Sequence, residues 1–227
     1  MIVYRTETEL GIAIKESGVS RDKLFITTKV HHNIGDIENG LKTSLKKLQL
    51  DYVDLYAPSP TTCISISGWC VIRYLIHEPW TLLSKSEADL QSAWAAMESV
   101  QAARLTKSIG VSNFLPQHLE VLLKTAKVIP ACNQIEFHPY LQRTQLLEFN
   151  KQHGIATTAF GPLSAIIRGA PGPADDYLAS LAKKYAVSEA EICLRWCIDQ
   201  DVVPITTSVC CFVFPWTSLR AYQRLMC

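Results

Sequence analysis

Apolar residues recur along this chain with two alternating periods, one near 3.6 and one of short unbroken runs. Leu10, Ala13 and Ile14 share a helical face that Thr6 and Glu9 can start as a capping box and Ser17-Gly18 can stop. Leu24-Phe25-Ile26-Thr27-Thr28-Lys29 then reads as a short buried strand ending in a lysine. Asp36 can cap a helix carrying Ile37, Leu41, Leu45 and Leu48, and Asp51 to Tyr56 reads as the next strand.

Residues 57–74 break this pattern. They carry two prolines, two cysteines and no usable period, after which Leu75-Ile76-His77 resumes like the second half of the interrupted strand. A separate strand or hairpin arm through Val71 to Ile76 is the alternative. Beyond it the alternation is regular. A helix from Ser86 to Ala103 precedes a strand at Ser108 to Ser112, and Pro116 opens a helix before a strand at Ala131 to Ile135. A helix over Thr144 to His153 leads to a strand at Ile155 to Phe160, then Gly161-Pro162. Helices near Asp176 to Tyr185 and Glu189 to Asp199 precede a last strand at Val202 to Thr206.

Six strands separated by helices at intervals of roughly 25 to 35 residues predict βαβ units and a parallel sheet. The strands end in polar residues: Lys29, His77, Ser112-Asn113, Gln134-Ile135-Glu136 and Thr207-Ser208. Polar side chains at the C-terminal ends of successive parallel strands are where a barrel keeps its chemistry, although Lys29 alone would equally suit the start of a solvated loop. An open doubly wound sheet gives the same alternation but usually carries a glycine-rich first turn, and no G-x-G-x-x-G occurs.

Charge adds little direction. With 22 basic and 21 acidic residues the net charge is +1, which predicts neither nucleic acid nor an anionic membrane as partner. No apolar run reaches the ~18 residues of a membrane span, and Met1 to Arg5 lacks the layout of a signal peptide, so the expected location is cytoplasmic. Of eight cysteines, five fall in 57–74 or after Ser208, leaving Cys132, Cys193 and Cys197 in the regular part. None shows C-x-x-C spacing, so no structural metal is expected.

Five motifs, taken together, resemble the aldo-keto reductases: Tyr4 to Gly11, Phe25 to Lys29, Leu50 to Tyr56 rejoined to Leu75-Ile76-His77, Ile109 to Phe114, and Asn133 to Tyr140. The resemblance covers 4–56 and 75–208. It implies an α/β fold of the (β/α)8 TIM-barrel type that binds NADP(H) and reduces a small aldehyde or ketone to an alcohol. Tyr4 matches the family's proton donor and Lys29 the cation that makes a phenol a usable acid near neutral pH. His77 matches the histidine that orients the carbonyl. Ser112, Asn113 and Gln134 match the groups holding the nicotinamide carboxamide. Phe160 stands where the family has a stacking tyrosine, Gly161 and Leu163 match the pyrophosphate-side loop, and Ser208 the start of the adenosine-phosphate site.

The departures set further expectations. The family's aspartate, paired with the lysine, lies upstream of its tyrosine, where only Met1-Ile2-Val3 stand here. The barrel is therefore expected to be incomplete, with about six of eight strands in a partial domain over 1–208. An 18-residue non-family insertion occupies 57–74 and a non-family tail 209–227. Both read as translated intron, which leaves about 190 family-like residues against the ~250 of a full barrel. Reduction is expected to be impaired in such a truncated chain. The alternative is an inactive homologue that acts only as a binding protein, or a misannotated gene product.

Overall fold

The computed structural model describes residues 6–30, 35–54, 74–76 and 86–206. Their strands form one parallel sheet in chain order: β1 (Lys29–Val30), β2 (Tyr74–Ile76), β3 (Ile109–Ser112), β4 (Cys132–Glu136), β5 (Ala156–Phe160) and β6 (Val203–Pro204). Each strand pairs with the next in sequence, so the order never reverses. A doubly wound sheet must reverse at a switch point; a barrel wall need not, and this sheet winds like a barrel wall.

The helices follow from local signals. α1 (Glu7–Glu16) packs on α2 (Ile37–Leu48) so closely that a Cβ on Gly11 would fall 2.6 Å from the Lys47 carbonyl oxygen. Asp36 caps α2 by accepting from the Asn39 backbone N–H at 3.2 Å, and Leu41, Leu45 and Leu48 are buried. Ser86 caps α3 (Glu87–Ala102) in the same way through Asp89, and Trp94 on its buried face donates to the Val128 carbonyl at 3.0 Å. Pro116 is the first residue of α4 (Pro116–Leu123). α5 (Thr144–Gln152), a single turn α6 (Ser164–Ile167), α7 (Asp175–Tyr185) and α8 (Glu189–Asp199) complete the α-helices among the described residues, beside a 3-10 turn at Arg21–Lys23. Leu163 and Ile166 pack with Leu178, Ile192 and Cys193, which joins α6 to the α7–α8 pair in a second small core.

The interrupted strand can be read from its register. Val53 bridges Thr106 in parallel, while Tyr74 stands opposite Ile109. A continuous strand from Val53 would bring Tyr56 opposite Ile109, so Tyr74, 18 residues further on, occupies the place due to Tyr56. Val53-Asp54 and Tyr74–Ile76 are two halves of one strand position between β1 and β3. The hairpin-arm alternative fails, because β2 pairs in parallel on both sides. Nearly all of the predicted 57–74 insertion lies outside the described residues.

The first strand is shorter than the pattern predicts. Only Lys29–Val30 carries the regular ladder, although Leu24 is already extended. At Ile26 Asp54 intervenes: the Ile26 N–H donates to its side-chain Oδ2 at 3.2 Å while the Asp54 N–H donates to the Ile26 carbonyl at 2.9 Å. A carboxylate thus takes one rung that a carbonyl would occupy.

Candidate active site

In a parallel ladder, directly paired residues point to the same face and alternate residues return to it. The pairs Lys29–Leu75–Gly110, Ser112–Gln134–Thr158 and Glu136–Phe160 therefore put Lys29, Ser112, Gln134, Glu136 and Phe160 on one face at the C-terminal end of the sheet. The described polar residues at these strand ends converge there.

Their contacts are mutual. Ser112 is fully buried and its hydroxyl donates to the Gln134 carbonyl at 2.9 Å; the Asn113 N–H donates to the same carbonyl at 2.9 Å. Asn113 Nδ2 reaches Ser112 Oγ at 3.4 Å, and Lys29 Nζ lies 3.5 Å from that oxygen. Main-chain groups thus fix the turn after β3. The side-chain carboxamide of Gln134 enters no hydrogen bond among the described residues. Asn113 has φ +60°, the left-handed region that asparagine tolerates better than most residues.

The next strand end carries a second cluster. Glu136 Oε1 is 3.5 Å from Arg168 Nη1 and 3.8 Å from His138 Nε2. Burial pushes the His138 imidazole below its ordinary value, Glu136 opposing and the Arg168 and Arg143 charges assisting, which favours its neutral form. Gly161 turns the chain after β5 at φ +62°, and a Cβ there would come within 2.8 Å of Ser164 Oγ. A side chain at 161 would be strained by conformation and would require the Ser164 hydroxyl to rotate away. Phe160 is half-buried beside this turn, and the Leu163 side chain packs into the α7–α8 core instead.

The structure therefore brings Lys29, Ser112, Asn113, Gln134, Phe160 and Gly161 to one rim. Tyr4, His77 and Ser208 lie outside the described residues. Cys132, Cys193 and Cys197 are buried, and Cys193 and Cys197 carry free thiols. Burial pushes Cys193 up to about 11 and Cys197 up to about 12, which makes both poor nucleophiles near neutral pH. The Arg168 contact had no signal in the sequence, because a lone arginine after an unpredicted single-turn helix has no periodicity to mark it.

Residues 3–210 match the model of the Aldo/keto reductase family. The NAD/NADP-dependent indole-3-acetaldehyde reductase of Schizosaccharomyces pombe is 42% identical over 208 residues, covering 91% of this chain and 66% of that protein. The glyoxal reductase of Bacillus subtilis is 37% identical over 210 residues, with the same two coverages. Among solved structures, an aldo/keto reductase from Brucella melitensis superposes with a TM-score of 0.75 at 36% identity, covering 92% of this chain and 71% of that one. An aldo-keto reductase of Bombyx mori in complex with NADP also gives 0.75, at 28% identity and coverages of 98% and 76%. The chain spans about two thirds of the length of the curated relatives it matches.

Proposed function

The chain belongs to the aldo/keto reductase family, and from that premise we propose that it binds NADPH across the strand-end rim and reduces a small aldehyde or ketone to an alcohol. The observation that carries this reading is the cluster of Ser112, Asn113 and Gln134, with Lys29 at its edge.

The donor set fits the cofactor. A carboxamide offers one acceptor and two donors, and the unengaged Gln134 amide with the neighbouring Asn113 amide supplies the complementary groups. Gly161, with no side chain, leaves room for a close backbone approach on the pyrophosphate side. Phe160 offers an aromatic face beside them. NADPH, when bound, supplies the hydride.

The chain's own groups handle the proton and the charge. Reduction of a carbonyl builds negative charge on its oxygen, which a nearby cation stabilises and a proton donor neutralises. In this reading Lys29 supplies the positive field, the Tyr4 phenol gives up the proton beside it, and His77 donates a hydrogen bond that orients the oxygen. Ser208 contributes at the adenosine end. The substrate class follows the relatives: small aldehydes, including a glyoxal and an aryl acetaldehyde, are the first panel to test.

The test has two stages. The full chain is titrated with NADPH and then followed for aldehyde-dependent loss of NADPH absorbance. Saturable binding is expected, with turnover impaired relative to a full-length reductase of the family. Folded protein with no saturable binding would overturn the proposal, and binding without turnover would replace it by the binding-only alternative.

A further inference from the structure

We infer that Asn133 is a positioning residue: its side chain clamps the backbone of Phe114 and thereby holds Asn113 in the left-handed conformation from which the rim is presented. This rests on the reading of the rim as the NADPH site. Asn133 is fully buried in β4, on the opposite sheet face from Gln134. Its Nδ2 donates to the Phe114 carbonyl at 2.8 Å, and its Oδ1 accepts from the Phe114 N–H at 3.3 Å.

A side-chain carboxamide is a peptide group in miniature, and here it does what a further rung of the ladder would do. The chain leaves β3 at Ser112 and turns out of the sheet, so the N–H and C=O of Phe114 would otherwise be buried without partners. Phe114 is itself fully buried, its ring edge-on to His118 at 6.0 Å. Between this clamp and the Asn113 N–H bond to Gln134, the strained residue is held from both sides. Asparagine tolerates positive φ better than most residues, and these two contacts fix Asn113 there.

Asn150 supplies a matched control. It too is fully buried against the sheet, donating to Thr157 Oγ1 at 3.0 Å, but it belongs to α5 and bonds to no residue of the rim. Asn133→Asp keeps the acceptor for the Phe114 N–H and opposes an oxygen to the Phe114 carbonyl; Asn150→Asp makes the same substitution elsewhere, opposite a Thr157 hydroxyl that can turn to donate to it. Asn133→Ser serves as a smaller, uncharged variant if the aspartate does not fold.

The experiment measures NADPH affinity, thermal midpoint and amide hydrogen exchange at Phe114 in the full chain. The expected result is faster exchange at Phe114 and about tenfold weaker NADPH binding in the Asn133 variants. Asn150→Asp should lower the midpoint while leaving affinity within about twofold. Equal affinities in both variants, or unchanged Phe114 exchange, would overturn the inference. If the wild-type chain binds no NADPH, the proposed function falls, and Phe114 exchange alone then decides whether Asn133 holds the turn.

Discussion

The two ends of the sheet treat polar groups in opposite ways. At the N-terminal end Asp54 is buried, and its carboxylate meets Arg21 at 2.5 Å, Lys107 at 2.6 Å and the Ile26 N–H. Arg21 also donates to the carbonyls of Leu24 and Tyr52, and both cations lie over the Tyr52 ring, 4.1 and 4.5 Å from its centroid. The Asp54, Arg21 and Lys107 charges there are engaged with one another. At the C-terminal end the bonds among Ser112, Asn113 and Gln134 run through the Ser112 hydroxyl and the Gln134 main-chain carbonyl, and the Gln134 carboxamide enters none of them. One end closes the fold and the other presents chemistry, as the two faces of a barrel do.

The largest expected effect breaks the closed end. Asp54→Asn leaves the partly buried Arg21 uncompensated beside the split strand and should cost about 3 kcal/mol in urea unfolding. NADPH affinity of the remaining folded protein should hold within about twofold, because nothing at the rim is touched. Next comes the open end. Gln134→Ala should weaken NADPH binding about tenfold and shift stability by less than about 1 kcal/mol, the inverse of the first result. If both variants lost affinity and stability in step, the division between the ends would be wrong.

A smaller effect lies on α1, away from both ends. Burial alone would raise the Glu7 carboxyl, but hydrogen bonds from Thr28 (2.6 Å) and Ser44, with the Lys47 charge, leave it below its ordinary 4.5. A lowered carboxyl favours the fold while ionised. The stability gap between wild type and Glu7→Gln should therefore be present at neutral pH and shrink as pH falls below about 4.5. A gap unchanged between pH 7 and pH 3 in denaturant titrations would contradict this. Smallest is Ser188→Ala, which removes an exposed capping box with Glu191 and should cost about 1 kcal/mol without altering affinity.

How much of this could be read from the sequence depended on range. The Ser188/Glu191 box and the Asp36 and Ser86 caps close within three residues, and the spacing predicts them correctly. Thr6 has the same spacing to Glu9 yet makes no side-chain cap bond. The resumption of the pattern at Leu75 predicted a strand there, and the register bears out that strand, with Tyr74 opposite Ile109 three residues on from the Val53–Thr106 bridge. The rim was legible because parallel strands bring their ends together whatever lies between. Asp54 gave no warning: its partners lie 33 and 53 residues away and no local pattern links them. Asn133 was visible only as part of a motif, its work being done on a backbone 19 residues earlier.

The most direct test of the account is an NADPH titration, followed by intrinsic tryptophan fluorescence, of wild type, Asp54→Asn and Gln134→Ala under conditions where all three are folded. The account predicts saturable one-site binding by the first two and clearly weaker binding by Gln134→Ala. Folded wild-type protein that shows no saturation, or Asp54→Asn losing affinity as fully as Gln134→Ala, would contradict it.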